Sequence, residues 1–236
     1  MESVETTTLS TPRQQGRHAG LDRRRIAEAA RSLGPHALSI QAVADLLGVD
    51  RKAVNYHVTN LAGLLELVAV DAFRMNFANV DLSSITDWKE ACRAYAFALH
   101  DSLVTTGALV SYFRFQDSGD LTMLGPADIV MQRLYEAGFT DEQVGNAVIL
   151  IVNVAMSAAR DDVMVIGTNG THPQLPIILG ALRDAYPRQF PGLQRAMTAT
   201  PAREPYGPAQ LEASIDIVTR GLESLLPVSA PSSKQI

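Results

Sequence analysis

The stretch SIQAVADLLGVDRKAVNYHVTN, residues 39–60, holds two helical patterns separated by only three residues. In the first, Ile40, Val43, Ala44 and Leu47 repeat at helix spacing and mark an inward face. Gly48 turns the chain, Val49 anchors the turn, and Asp50 is placed to cap a second helix, RKAVNYHV. Val54 and Val58 lie four apart and face the preceding helix. Helices this short do not persist alone in water, so each must pack on a neighbour. A third stands just upstream. Asp22 caps RRRIAEAARSL, whose stripe is Ile26, Ala29, Ala30 and Leu33, and Gly34-Pro35 ends it. Stacking the three leaves Arg51, Lys52, Asn55 and Tyr56 around the sides of the last helix that the valines do not use.

Charge follows the same division. The chain has 236 residues and a formal net charge of −5. Residues 1–60 hold eight Lys/Arg against six Asp/Glu, and the remainder twelve against nineteen. A basic head on an acidic body suits an N-terminal piece that meets a polyanion through one face. Two short helices at a tight corner, stacked on a third, form a helix-turn-helix unit. Its second helix presents its N-terminal half to a DNA major groove, and N–H groups at helix ends hold phosphates. The glycine corner, the small Ala44 and the basic Arg51-Lys52 start favour this reading over a purely structural bundle.

The rest of the chain also reads as helix. Residues 1–20, rich in Thr, Ser, Gln and Gly, are expected to be a flexible arm. Its Arg13, Arg17 and His18 either touch DNA or are incidental charge. Residues 61–80 form an apolar-striped fourth helix, and Thr86-Asp87-Trp88 starts a fifth that runs to about Thr106. Residues 108–116 are a shorter helix or a broken continuation, and Pro126 opens a helix ending near Gly138. Thr140 and Gln143 have capping-box spacing. The long segment they start is apolar too far round to have one wet side, so it lies in a core or against another subunit. Asn146 and Asn153 share one of its faces. They pair across an interface, line a cavity, or are simply part-exposed. Prolines crowd residues 168–210, which leaves short helical pieces such as 175–185 and a mobile 197–208. A last helix spans about 209–226, and 227–236 is expected to be a flexible tail. No strand alternation stands out. The expected class is all-α, divided into an arm (1–20), a head (21–66), a larger helical domain (67–226) and the tail.

Other functions find little support. One cysteine, Cys92, excludes an internal disulfide and fits a reducing compartment. No signal-type leader opens the chain, and polar residues interrupt the longest apolar run. A cytoplasmic protein is expected. His18, His36, His57, His100 and His172 are scattered, with no HExxH, and no glycine-rich phosphate cradle occurs. Cys92 has no partner in sequence, and Asp161-Asp162 and Asp117/Asp120 read as solvated caps rather than acid/base pairs. No enzyme, cofactor or metal site is expected.

Residues 38–65, LSIQAVADLLGVDRKAVNYHVTNLAGLL, resemble the head of TetR-family transcriptional regulators. The resemblance extends through Trp88 and RLYEAGFTDEQVGNAVILI, residues 133–151, and is closest to the branch containing the tetracycline repressor. It implies an all-helical homodimer whose head binds double-stranded operator DNA and whose larger domain binds an effector and holds the dimer contacts. Carried over, it places Ile40 and Gln41 near the DNA, Arg51, Lys52 and Asn55 facing bases, and Ala53, Tyr56 and His57 at backbone contacts. The side-chain chemistry agrees. Arg51 or Lys52 matches guanine O6 and N7, and Asn55 matches adenine N6 and N7. Two positions depart from the family: Asn55 stands where tyrosine is usual, and Leu61 where a phosphate-binding lysine is usual.

The same resemblance places Phe77, Tyr95, Leu99, Phe113 and Gln116 at ligand positions. Phe113 replaces the histidine that would hold magnesium, so the metal–tetracycline chemistry is absent. The expected effector is hydrophobic or aromatic, oriented by Tyr95, Gln116 and Asn146. The implied function is a ligand-responsive repressor. The competing reading is a dimeric helical small-molecule-binding protein with weakened or lost DNA binding.

Overall fold

A computed structural model of the chain describes residues 20–33, 37–114, 121–168, 170, 172–184, 189–199 and 207–227. All the regular structure among the described residues is helical, with no strand among them. The chain divides into two compact units, Met1–Leu61 and Ala62–Ile236.

The first unit contains α1 (Arg23–Ser32), α2 (Ile40–Leu47) and α3 (Arg51–Val58). Each starts on a side-chain cap. Asp22 accepts from the Arg25 N–H at 2.8 Å, Ser39 from Ala42 at 3.1 Å and Asp50 from Lys52 at 2.7 Å. These bonds satisfy N–H groups that a helix start leaves without partners. The core is Ile26, Ala27, Ala29 and Ala30 from α1, Ile40, Val43 and Ala44 from α2, and Val54 and Val58 from α3. Alanine at four of these places lets the backbones approach closely. Gly48 ends α2 with φ +64°, and its N–H reaches Ala44 and Asp45 carbonyls. The next residue, Val49, donates to Ala44 O at 3.0 Å and completes the corner. Arg23 Nη1 donates to the His57 carbonyl at 3.5 Å, tying α1 to the end of α3.

The second unit contains α4 (Leu61–Phe77), which starts in the first unit's last residue, then α5 (Trp88–Val104), α6 (Gly125–Glu136), α7 (Asp141–Gly167), α8 (Gln174–Asp184), α9 (Pro191–Ala199) and α10 (Pro208–Glu223). The fourth helix stops at Phe77, three residues earlier than its sequence pattern suggests. The piece expected around 108–116 is a six-residue 3₁₀ turn, Gly107–Tyr112. The short helix α9 falls inside the proline-rich region, where its starting Pro191 gave no sequence signal beyond a break.

Helix α7 is the spine. Its 27 residues span about 40 Å. The capping box forms at its start: the Thr140 N–H donates to Gln143 Oε1 at 2.9 Å, and the Gln143 N–H to Thr140 Oγ1 at 3.4 Å. Val144, Ala147, Val148, Ile151, Ala155 and Ala159 form its buried stripe, against α5, α6 and α10. Buried Leu211, Ile215 and Leu222 anchor α10, while Leu225, expected on the same stripe, is exposed. Arg133 on α6 donates to the Ile85 carbonyl at 2.7 Å and the Ser83 carbonyl at 3.2 Å, fixing the loop before α5. Exposed ion pairs, Arg93–Glu212 at 2.6 Å and Lys89–Glu223 at 2.5 Å, join α5 to α10 and contribute little stability.

Two residues of the first unit occupy positive φ with opposite consequences. A Cβ on Gly48 would meet no atom within 4 Å, so the cost of Gly48→Ala is wholly conformational. It should destabilise the head by about 1 kcal/mol. Thr59, a β-branched residue at φ +65°, already bears such strain, so Thr59→Gly should stabilise the head by about 1 kcal/mol. Amide exchange protection in α2 and α3 measures both, and shifts of the same sign in the two variants would contradict the backbone argument.

Candidate functional site

The sequence nominated two sites, one in each unit. In the head, the buried Val54 and Val58 turn one side of α3 inward, which settles where the others point. Arg51 and Lys52 are exposed, and Tyr56 is 86% exposed with its ring edge-on to His57 at 5.3 Å. Ala53, Asn55 and His57 are half-buried. The exposed side of α3 thus offers two cations and a phenol within six residues. Gln41 is exposed on α2, where its amide donates to Asp45 Oδ1 at 2.7 Å.

Two head residues sit differently from expectation. Ile40 is buried, 7% exposed, so its side chain belongs to the core. Asn55 Oδ1 is buried and has no hydrogen-bond partner. Pairing with adenine N6 and N7 uses both amide atoms, so Asn55 must rotate before it can read a base. Leu61, where the resemblance implies a loss of phosphate contact, is 45% exposed at the start of α4. The arm residues Arg13, Arg17 and His18 lie outside the described residues.

In the second unit Phe77, Tyr95, Leu99 and Phe113 are brought together and are all buried. Phe73 joins them. It stacks on Phe77 with centroids 4.8 Å apart, and Phe113 lies 4.7 Å away with its ring tilted. Tyr95 meets Phe77 edge-on at 6.1 Å. Sequence reasoning missed Phe73, although its i,i+4 spacing to Phe77 was the available signal. Tyr95 is 5% exposed and its hydroxyl makes no hydrogen bond to the described residues. Burial pushes its phenol up to about 12, which keeps it a neutral donor at ordinary pH. Gln116 lies outside the described residues.

Asn146 is not part of this cluster. It is exposed on α7, on the side opposite the buried stripe, together with Asn153, Ile149, Leu150 and Met164. The reading in which Asn146 orients a ligand inside the domain is therefore corrected: its side chain faces out.

Asp161 and Asp162 also need correction. They lie within α7 rather than capping it, and Asp162 is only 13% exposed, 3.0 Å from the ring of buried His100. Both His100 ring nitrogens face carboxylates, which leaves neither for activating a nucleophile. Cys92 is buried, and desolvation, with Asp87 adding to it, pushes its thiol up to about 12. Among the described residues, no group of three or more His, Cys, Asp or Glu could hold a metal ion, and no helix is long and apolar enough to cross a membrane.

No family model matches this chain, and neither does any curated protein. Solved structures do. A provisionally assigned transcription regulator from Streptomyces coelicolor is 24% identical, with TM-score 0.64 over 90% of this chain and 99% of its own. The S. coelicolor TetR family protein ActR, in complex with actinorhodin, is 20% identical, with TM-score 0.64 over 90% and 100%. A TetR variant from Acinetobacter baumannii in complex with minocycline is 15% identical, with TM-score 0.58 over 92% and 100%. At these identities the likeness shows the fold, an all-α helix-turn-helix head followed by a larger helical bundle, and does not single out the tetracycline-repressor branch.

The geometry makes two predictions. Asp50→Ala removes the cap of α3 and should destabilise the head by about 1 kcal/mol in chemical denaturation followed by circular dichroism. A thiol reagent at about pH 8 should modify Cys92 only as fast as the second unit opens, because the folded thiol stays protonated until far higher pH. Rapid modification of the folded protein would contradict its burial.

Proposed function

We propose that the chain is a dimeric, ligand-responsive, DNA-binding transcription regulator that acts as a repressor. The observation that carries this reading is the exposed face of α3: Arg51, Lys52 and Tyr56 stand outward because Val54 and Val58 hold the opposite side in a core. Arg51 and Lys52 supply donors matched to guanine O6 and N7, and Tyr56 and the N–H groups at helix starts supply phosphate contacts. Gln41, Ala53 and His57 support the docking from beside it. Two heads in a dimer would read half-sites about one helical turn apart, roughly 34–36 Å.

The dimer surface in this reading is the outer side of α7 and α10. Ile149, Leu150 and Met164 on α7 and Ile217 on α10 are exposed there, with Asn146 and Asn153 among them. Covering these side chains with a second copy removes apolar area from water and gives the asparagines partners of their own kind. The effector site is the aromatic cluster of Phe77, Tyr95, Leu99 and Phe113, with Gln116 near it in sequence. A hydrophobic or aromatic molecule suits such walls, and the Tyr95 hydroxyl, which has no partner among the described residues, offers one hydrogen bond for orientation. Proteins of the same fold, ActR and TetR, hold actinorhodin and minocycline. The effector acts by favouring dimers whose head spacing mismatches the operator, and its power is limited by its differential affinity for the two states.

A gel-shift titration on palindromes selected from a random DNA pool tests the reading. Arg51→Ala should weaken binding by about 1–3 kcal/mol and relax preference at one base pair. Equal loss on every sequence would instead make Arg51 a phosphate anchor. Tyr95→Phe should leave thermal stability unchanged, because the hydroxyl has no partner among the described residues. It should weaken effector binding by about 1 kcal/mol, on the order of fivefold, in calorimetry.

The exposed Leu61 and the buried Asn55 Oδ1 favour a second reading, a dimeric small-molecule-binding protein with weakened or lost DNA binding. If no palindrome is enriched even at low salt while the effector still binds, the second reading holds.

A further inference from the structure

His100 on α5 is 3% exposed, yet both its ring nitrogens meet carboxylate oxygens. Nδ1 lies 2.8 Å from Asp101 Oδ1 and Nε2 lies 3.0 Å from Asp162 Oδ2 on α7. A neutral imidazole has one N–H and one lone pair. It can donate to one of these carboxylates, but its other nitrogen then sets a lone pair against an oxygen that can only accept. The imidazolium has two N–H groups and satisfies both contacts. We propose that His100 is a proton-held clamp between α5 and α7: as the imidazolium it donates to Asp101 and Asp162 together, and loss of its proton releases one of them.

The surroundings narrow the choice. Asp101 is 73% exposed and shares its helix with His100, so the contact that spans helices is the one to Asp162, 13% exposed. The neighbouring Asp161 faces a different histidine. His172 Nε2 lies 3.7 Å from Asp161 Oδ1, and His172 Nδ1 accepts the Gln174 N–H at 3.3 Å where α8 begins. Burial raises the Asp161 carboxyl while His172 pulls it back, so this residue is a less ready anion than an exposed one.

Few other charges bear on the clamp. On α7, Arg160 precedes the two aspartates. Among the described residues of α6 and α10, the other long helices packed on α5, charged groups pair elsewhere: Arg133 with Glu136, and Glu212, Asp216 and Glu223 with Arg93 and Lys89, at least two turns nearer the start of α5. The 3₁₀ turn Gly107–Tyr112 holds no charged residue, and Arg114 beyond it donates to the Ser111 and Phe113 carbonyls. On α4, which meets α5 where Asn76 donates to Thr105, Asp71 pairs with Arg74, so among the described residues the two carboxylates are the charged groups in contact with the ring.

The linkage has one sign. Only the imidazolium makes both contacts, so the clamp holds while the ring keeps its proton and is lost as rising pH removes it. Since α5 also carries Tyr95 and Leu99, the loss loosens a helix that walls the aromatic cluster. The clamp itself needs neither DNA nor effector.

Ring ¹⁵N NMR on the full chain, labelled at histidine, tests the state of the ring, with His100→Asn or, should that variant not fold, Asp101→Asn identifying its signals. At about pH 6.5, the ordinary histidine midpoint, both His100 nitrogens should show the protonated signature. A neutral-tautomer signature at every pH from about 5.5 to about 8.5 would overturn the proposal, since it means that an aspartic acid carries the proton instead. Thermal unfolding over the same range gives the second readout. The wild-type midpoint should fall with rising pH, and Asp162→Asn should flatten that fall. Asp101→Asn, at an exposed site that leaves folding intact, should reduce it by a measurable share. A slope identical in wild type and Asp101→Asn would sink the clamp even if Asp162→Asn fails to fold.

Discussion

An eight-residue helix cannot hold its own shape in water, and the head is built from two of them. Its geometry therefore depends on the burial of Val54 and Val58 against the alanine-rich faces of α1 and α2. That one packing contact does two things. It makes α3 a helix at all, and by consuming one side it decides which residues remain outside. The exposure of Arg51, Lys52 and Tyr56 is a consequence of core packing rather than a separate feature. The caps at Asp22, Ser39 and Asp50 and the left-handed Gly48 then fix where each helix begins and how sharply the chain turns.

The second unit meets the same problem on a larger scale. Helix α7 has enough length to be cooperative, and its stripe of Val, Ile and Ala is covered on several sides. Alanines at 147, 155 and 159 admit the neighbouring helices closely, while Phe73, Phe77, Phe113 and Tyr95 fill the wider space between α4 and α5. Small residues along α7 and rings from α4, α5 and the segment after the 3₁₀ turn belong to one buried core. The outer side of α7 keeps its asparagines and its exposed Ile149, Leu150 and Met164, a mixture that suits association better than solvent.

Most of the fold was legible in the sequence because its signals are local. Capping residues, the glycine corner and the i,i+4 stripes predict α1, α2, α3, α5, α7 and α10 from neighbours a few residues apart. Boundaries slipped where no local signal exists. Helix α4 ends at Phe77 although its apolar pattern continues, and α9 hides among prolines. The side-chain errors have a different origin. Asn146 and Asn153 share a helical face, but periodicity alone does not say whether that face turns in or out. The pairing of His100 with Asp162 joins residues 62 apart, and nothing in either neighbourhood announces it. Asp161-Asp162 therefore read as solvated when one of them is the half-buried partner of a buried histidine.

Buried polar atoms sort the molecule into parts that are finished and parts that wait. Around His100 each ring nitrogen has its oxygen, so the cluster serves the fold. Asn55 Oδ1 in the head is buried without a partner, and the Tyr95 hydroxyl in the bundle has none among the described residues. Leaving a buried acceptor such as Asn55 Oδ1 unsatisfied costs about 1–3 kcal/mol. A fold chosen only for stability would replace it with an apolar side chain of the same shape. Both groups belong to residues that chemistry already nominates for contact with something else, a base edge and a small aromatic molecule. In this protein the hydrogen bonds still to be made, more than the ones already made, mark where recognition is expected to happen.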